Sequence, residues 1–154
     1  MVSMKKKSVK KPKIIVLQSL TSLKSSLDRI FKKKIRLRDC DENGYGFCIC
    51  CENKVIEIKK DFDAGHYIPC GKTSFLRWHN DNVNGQSEGC NRFKGGNPLG
   101  YRDGIIKKYG KETEEYLYAN RNKKFIPSRQ WLEDRIEQEK LEVKELLKTK
   151  NFEY

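Results

Sequence analysis

Three stretches between residues 63 and 97 decide how this chain is read: Asp63-Ala64-Gly65-His66-Tyr67, Asp81-Asn82-Val83-Asn84-Gly85-Gln86 and Gly89-Cys90-Asn91-Arg92-Phe93-Lys94-Gly95-Gly96-Asn97. The chain has only 2 histidines, so His66 stands out, although a single histidine is more often structural than catalytic. Here an acid precedes it by three positions on an apparent strand, and Asn82 and Asn91 follow. Phe62–Ile68 and Val55–Ile58 have the β-branched and aromatic content of short strands. Pro69-Cys70-Gly71-Lys72-Thr73 breaks the first run into a loop, Phe75–Trp78 reads as the opening of a further strand, and Asp81–Gly85 reads as a turn. Glu88–Lys94 has the look of a short helix, closed by a Gly95-Gly96 pair suited to left-handed geometry.

Helical patterns flank this centre. Between Leu17 and Lys34 the apolar positions Leu20, Leu23, Leu27, Ile30 and Phe31 recur at helical spacing, with Lys24, Arg29 and Lys32–Lys34 on or beside the polar face. Pro98 opens another helix through Leu99, Arg102, Ile105, Ile106 and Tyr109, stopped by Gly110. Glu112–Ala119 gives one more, with Tyr116 and Leu117 on its inner side. Ser128 is a suitable N-cap for a last helix reaching about Lys148. Its stripe of Leu132, Ile136, Val143 and Leu146, with Glu139 in the missing place, would pack either onto the domain or against a second copy, and so would Trp131. Phe75, Trp78 and Phe93 read as core rather than as base-stacking platforms. The fold class expected is α+β: a helix, a small β-rich centre, then helices.

Charge divides the chain further. Of 154 residues, 33 are Lys or Arg and 21 Asp or Glu, a net charge of +12. Residues 1–38 hold 13 of the basic side chains and one acid, Asp28, so the whole excess lies there. Residues 1–13, with Lys5, Lys6, Lys7, Lys10 and Lys11, read as a disordered basic arm. Residues 14–38 read as a basic amphipathic helix and lead-in, 39–120 as the functional core and 121–154 as the C-terminal helix. There is no apolar run of about 18 residues to cross a membrane. Ile14–Leu17 is too short for a signal-peptide core, so a cytoplasmic location is expected.

The 6 cysteines point to metal or free thiols rather than disulfides in such a compartment. Cys48-Ile49-Cys50-Cys51 contains a Cys-x-x-Cys, one half of a zinc knuckle. The only second half is Ser87-Glu88-Gly89-Cys90, with serine at its first position. Cys48, Cys51 and Cys90 are therefore three structural Zn²⁺ ligands. Water, Cys50, Cys70 or His79 could supply a fourth; otherwise the thiols are small buried hydrophobes.

Together with the lead-in Leu27–Phe31 and Ile35–Asp39 and the segment Tyr101–Tyr109, the three central stretches resemble the NinG (Rap) recombination proteins of lambdoid phages, which are related to the HNH, or His-Me finger, endonucleases. The resemblance spans about residues 27–120. It implies a ββα-metal core with a zinc-knuckle-like element, flanked by the terminal helices, and a metal-dependent DNA endonuclease acting on branched, Holliday-junction-like intermediates of phage recombination in the bacterial cytoplasm. By motif position His66 would be the general base, Asn82 would fix the hairpin loop and the base, and Asn91 would be a ligand of catalytic Mg²⁺. Gly65 occupies the place of the acid that often directly precedes the base, which leaves Asp63 as the carboxylate ligand. An offset of three along a strand sends Asp63 and His66 to opposite faces, so a shared metal requires a bulge or bend at Gly65.

These residue types suit phosphodiester hydrolysis. A neutral imidazole takes a proton near neutral pH, and Mg²⁺ accepts one or two oxygen ligands beside substrate phosphate. Arg77, Arg92 and Lys94 are candidates for gripping phosphates. The two-fold symmetry of a four-way junction would suit a homodimer. The alternative reading is a non-catalytic, zinc-stapled DNA-binding accessory protein, and a third is an RNA-binding protein. A binder needs none of Asp63, His66, Asn82 and Asn91.

Overall fold

The computed structural model describes residues 17–154, so the basic arm with Lys5, Lys6, Lys7, Lys10 and Lys11 lies outside the described residues. Helix α1 spans Leu20–Asp39, capped by Ser19, whose hydroxyl accepts from the Ser22 N–H at 3.1 Å. Helix α4 spans Arg129–Leu147, and Ser128 caps it in the same way through the Trp131 N–H at 3.1 Å. Each cap satisfies one of the donors that a helix start leaves free. The two helices pack along each other. Leu23, Leu27, Phe31 and Ile35 of α1 meet Leu132 and Ile136 of α4 around Ala64, Trp78 and Val83. The α4 stripe is thus buried within its own chain, and Trp131 packs between Trp78 and Phe125 with ring centroids 5.6 and 4.9 Å away.

Glu139 sits in the α1–α4 seam at 0% exposure. Lys34 meets it at 2.7 Å from across the interface, and Arg135 at 2.7 Å from its own helix. The charge can be buried because both partners are supplied.

Two small antiparallel sheets lie against the helix pair. β1 (Tyr45–Cys48) pairs with β2 (Cys51–Glu57), and the tight turn between them sets Cys48 opposite Cys51. β3 (Phe62–His66) pairs with β4 (Val83–Ser87) in an unbroken register from Phe62 opposite Ser87 to His66 opposite Val83. One turn of π-helix follows at Gly89–Phe93, in place of the longer helix expected over Glu88–Lys94. Gly95, Gly96 and Asn97 then take φ values of +55°, +84° and +46°, a left-handed run that turns the chain into α2 (Pro98–Tyr109), with proline in its first turn. Helix α3 covers Lys111–Ala119. Helix α2 lies so close to the β1–β2 turn that a Cβ on Gly104 would run into the Ile49 carbonyl, and one on Gly100 would stand 2.6 Å from the Cys50 carbonyl.

Four sequence expectations are corrected here, the first being Phe93, which is 83% exposed at the end of the π-helical turn rather than in the core. Asp81–Gly85 is not a turn: a turn of 3-10 helix at Asn80–Asn82 leads straight into β4. Phe75–Trp78 is not a strand; Arg77 and His79 donate back to the Ser74 and Leu76 carbonyls in successive turns, leaving no ladder to join. Tyr116 is 46% exposed while Leu117 is fully buried, because Glu114 takes the inner position beside Leu117 and accepts from the Tyr67 hydroxyl at 2.7 Å.

Candidate active site and thiol centre

The loop between β3 and β4 is tied shut by Asn82, which is fully buried. Its Oδ1 accepts from the Ile68 N–H at 2.8 Å, and its Nδ2 donates to the Ile68 and Leu76 carbonyls at 3.0 and 3.1 Å. Its own carbonyl accepts from the Tyr67 N–H at 2.8 Å. One side chain thereby joins the start of the loop to its far end.

His66 stands at the base of this loop. Its Nε2 lies 2.9 Å from the Arg77 carbonyl. A carbonyl only accepts, so Nε2 carries the proton and Nδ1 is left as the basic nitrogen. Cys70 Sγ lies 3.2 Å from the same Nε2. Burial lowers the His66 pKa below the ordinary imidazole value, against the Arg77 hydrogen bond, which raises it; the charge of Lys32 lowers it and that of Asp28 raises it. The ring is therefore neutral at pH 7. The Arg77 segment is held in turn by Asp28 of α1, whose carboxylate accepts from Arg77 Nε at 3.0 Å, from Arg77 NH2, and from Trp78 Nε1 at 2.9 Å.

His66 lines a cavity of about 710 Å³ together with Gly65, Cys70 and Asn91. Four cations border it, Lys32, Lys72, Arg102 and Arg121, and no acid does. The three cations expected from sequence are not in its lining. Arg77 is bound to Asp28. Arg92 pairs with Glu88 at 2.8 Å and Asp63 at 3.4 Å, and Lys94 is exposed.

Asp63 and Asn91 are brought together: Asn91 Nδ2 donates to Asp63 Oδ2 at 2.9 Å. The bulge that would swing Asp63 toward His66 is absent, since the β3–β4 register continues through Gly65. Strand alternation therefore directs Asp63 and Gly65 to one face and His66 to the other. Asn91 is the link, touching Asp63 and also bordering the cavity of His66. Directly across from Asp63 stands Gln86, fully buried, whose Oε1 has no hydrogen-bond partner among the described residues. An orphaned buried oxygen of this kind costs about 1–3 kcal/mol unless something else satisfies it.

The second centre lies at the β1–β2 turn. The Sγ atoms of Cys48, Cys51 and Cys90 all fall within 4.8 Å of one another, with Cys51 and Cys90 at 3.5 Å. Three thiolates on a tetrahedral zinc stand about 3.8 Å apart, so the cluster can hold a metal such as zinc with little movement. Hydrogen bonding from Cys50, with further help from Ser87, pulls the Cys48 thiol down to about 3, while burial and its thiol neighbours raise Cys51 to about 12. One thiolate is thus favoured before any metal enters. Ser87 sits at the cluster, bonded to Cys48 and accepting from the Cys90 N–H at 3.3 Å. Cys70 lies instead beside His66, and His79 caps the Asn80–Asn82 turn. Cys50 remains the nearby thiol.

The hairpin with its flanking turn and thiol centre falls within a family match. The model of the family described as "Bacteriophage Lambda NinG protein" matches residues 2–151. The chain belongs to the NinG family. It is 32% identical over 76 residues to Protein ninG of Escherichia phage lambda, covering 49% of this chain and 36% of the relative. To Protein ninG of Enterobacteria phage H19B it is 34% identical over 89 residues, covering 58% and 41%. The matched stretches therefore span well under half the length of these NinG relatives. No solved structure matches the chain. Among the described residues of this NinG-family chain, no helix is long and apolar enough to cross a membrane.

Sequence reasoning named Asp63, His66, Asn82, Asn91 and the thiols but missed Asp28, Lys32, Lys72, Gln86, Arg102 and Arg121. Only Asp28 carried a signal, as the one acid in a strongly basic segment.

Proposed function

We propose that this NinG-family protein is a metal-dependent DNA endonuclease of the HNH, or His-Me finger, type, cutting branched intermediates of phage recombination in the bacterial host cytoplasm. The observation that carries the reading is a neutral imidazole, fixed in one tautomer by the Arg77 carbonyl, opening into a cavity bordered by four cations and no acid. His66 takes the proton of the attacking water, a contribution on the order of 10²–10⁴-fold. Lys32, Lys72, Arg102 and Arg121 neutralise phosphates on either side of the scissile bond. Asn82 keeps the loop closed so that the Arg77 carbonyl stays on the imidazole.

Asp63 and Asn91 would hold the Mg²⁺. The site fits the ion on its own terms, because the donors are a carboxylate and a carboxamide, next to an unsatisfied buried oxygen that takes the place of a side chain at Gly65. When bound, the ion supplies charge stabilisation at phosphorus and at the departing oxygen. Cys48, Cys51 and Cys90 would hold structural Zn²⁺.

The thiol centre also suits a second reading, a zinc-stapled DNA-binding accessory protein without catalysis. A labelled four-way junction, linear duplex and RNA, each incubated with Mg²⁺ or with EDTA, separate the two. Mg²⁺-dependent nicks in the junction, lost in His66→Ala with DNA binding retained, are expected. Undiminished cleavage by that variant would remove His66 from the chemistry, and binding without cleavage by the wild type would leave the accessory reading.

A further inference from the structure

The hairpin face that carries Asp63 gathers oxygen atoms around a missing side chain. Gln86 is fully buried on β4, directly across from Asp63. Its Nε2 donates to the Gly96 carbonyl at 2.8 Å and to Cys50 Sγ at 2.9 Å. Those two contacts fix which end of the amide is the nitrogen, so Oε1 is the end left without a donor. It lies in the space that a Cβ on Gly65 would need, and Asn91 Oδ1 stands 3.3 Å from that same point. Asn91 in turn holds Asp63 at 2.9 Å. Two carboxamide oxygens thus meet where Gly65 has no side chain, with the Asp63 carboxylate held alongside by Asn91, and one of the two, Gln86 Oε1, has no hydrogen-bonding reason to be there.

We propose that Gln86 Oε1 is a third oxygen ligand, beside Asp63 and Asn91, of a hard divalent cation. The inference rests on the endonuclease reading of this site and adds a ligand to it. The donor set is all oxygen with one formal negative charge, which suits Mg²⁺ or Mn²⁺ retaining several waters better than zinc, whose sites are built mainly from sulfur and nitrogen. Because the same amide donates to Cys50, Gln86 also joins the cation site to the thiol turn.

Mn²⁺ binding to the full chain, with its thiols already loaded with zinc, is measured by the loss of the free-ion electron paramagnetic resonance signal. Wild type is compared with Gln86→Met, which has no oxygen, and Gln86→Glu, which keeps an oxygen but loses the amide donor. Even indirect partners of a metal typically cost 10–100-fold in affinity when removed, so Gln86→Met should weaken Mn²⁺ binding about tenfold or more. Gln86→Glu should bind at least as tightly as wild type. His66→Ala should bind Mn²⁺ unchanged.

Thermal unfolding without Mn²⁺ checks that each variant is folded. Wild-type affinity in folded Gln86→Met would overturn the proposal. So would equal weakening in Gln86→Met and Gln86→Glu, which would mark Gln86 as a brace for Gly96 and Cys50 only. If Mn²⁺ binding follows the Gln86 substitutions as expected while His66→Ala still cleaves, the ligand assignment stands and the endonuclease mechanism falls. If His66→Ala abolishes cleavage while Mn²⁺ ignores Gln86, the reverse holds.

Discussion

Asp28, on the inner side of α1, shows how much one side chain can decide. Its carboxylate grips Arg77 and Trp78, and the Arg77 carbonyl holds His66. Arg77 was expected to hold phosphate; in the structure its guanidinium is paired with Asp28 and its carbonyl accepts from the imidazole. Two neighbours push the His66 pKa in opposite directions, Lys32 downward and Asp28 upward, on top of the downward push of burial. Asp28→Asn should therefore move the acid limb of the pH–kcat profile to lower pH, and Lys32→Met should move it to higher pH. Asp28→Asn should also lower kcat about tenfold, as expected when a general base is misplaced, with little change in KM. Profiles of the two variants measured side by side check this, and shifts in the same direction would defeat it. The lowered pKa also fixes the sign for stability. The unfolded chain binds this proton more tightly, so the contribution is present above about pH 6.5 and is lost as the pH falls through the folded value.

At the scale of elements, the helices were legible and the second strand of the β3–β4 hairpin was not. Ser19 and Ser128 announce α1 and α4, and apolar spacing gives their buried faces, since both signals are local. β4 reads Val83-Asn84-Gly85-Gln86-Ser87, an apparent turn, yet all five residues are buried. Its polar groups find partners far away in sequence. Asn84 Oδ1 accepts from Arg38, Lys108 and Tyr109 at 3.0, 2.9 and 2.7 Å, and Gly85 N–H donates to Asp39 at 2.7 Å. No local pattern encodes such bonds. The same holds for three of the four cavity cations, Lys32, Arg102 and Arg121, which α1, α2 and the chain after α3 bring to His66 from distant positions. The α1–α4 seam supplies the test at this scale. Lys34→Met alone should destabilise by about 3–5 kcal/mol, because Glu139 is left buried without its cross-helix partner, whereas adding Glu139→Leu should recover most of that loss. Urea unfolding of the two single variants and the double variant measures it.

Taken whole, the molecule divides its labour by charge. The net +12 belongs entirely to residues 1–38, and the remainder is balanced, so on the proposed function sequence-blind attraction and selective chemistry would fall on different parts of the chain. If the arm neutralises about six phosphates, log K should fall against log salt with a slope near −5. Deleting residues 1–13 should flatten that slope and raise KM while leaving kcat nearly intact. Binding titrations across salt concentrations, paired with single-turnover cleavage, would show it, and an equal loss of kcat would place the arm within the catalytic machinery.

Gly100 and Gly104 bring α2 against the carbonyls of the Cys48–Cys51 turn, with no room for a methyl group, and Arg102 between them borders the cavity over His66. The thiol turn is then a fulcrum on which one wall of the cleft rests. On the endonuclease reading, an ion seated in that turn would set the leverage on the wall, and so how firmly a strand is clasped, without touching the strand. Removing such an ion would then loosen the grip of the cleft from behind.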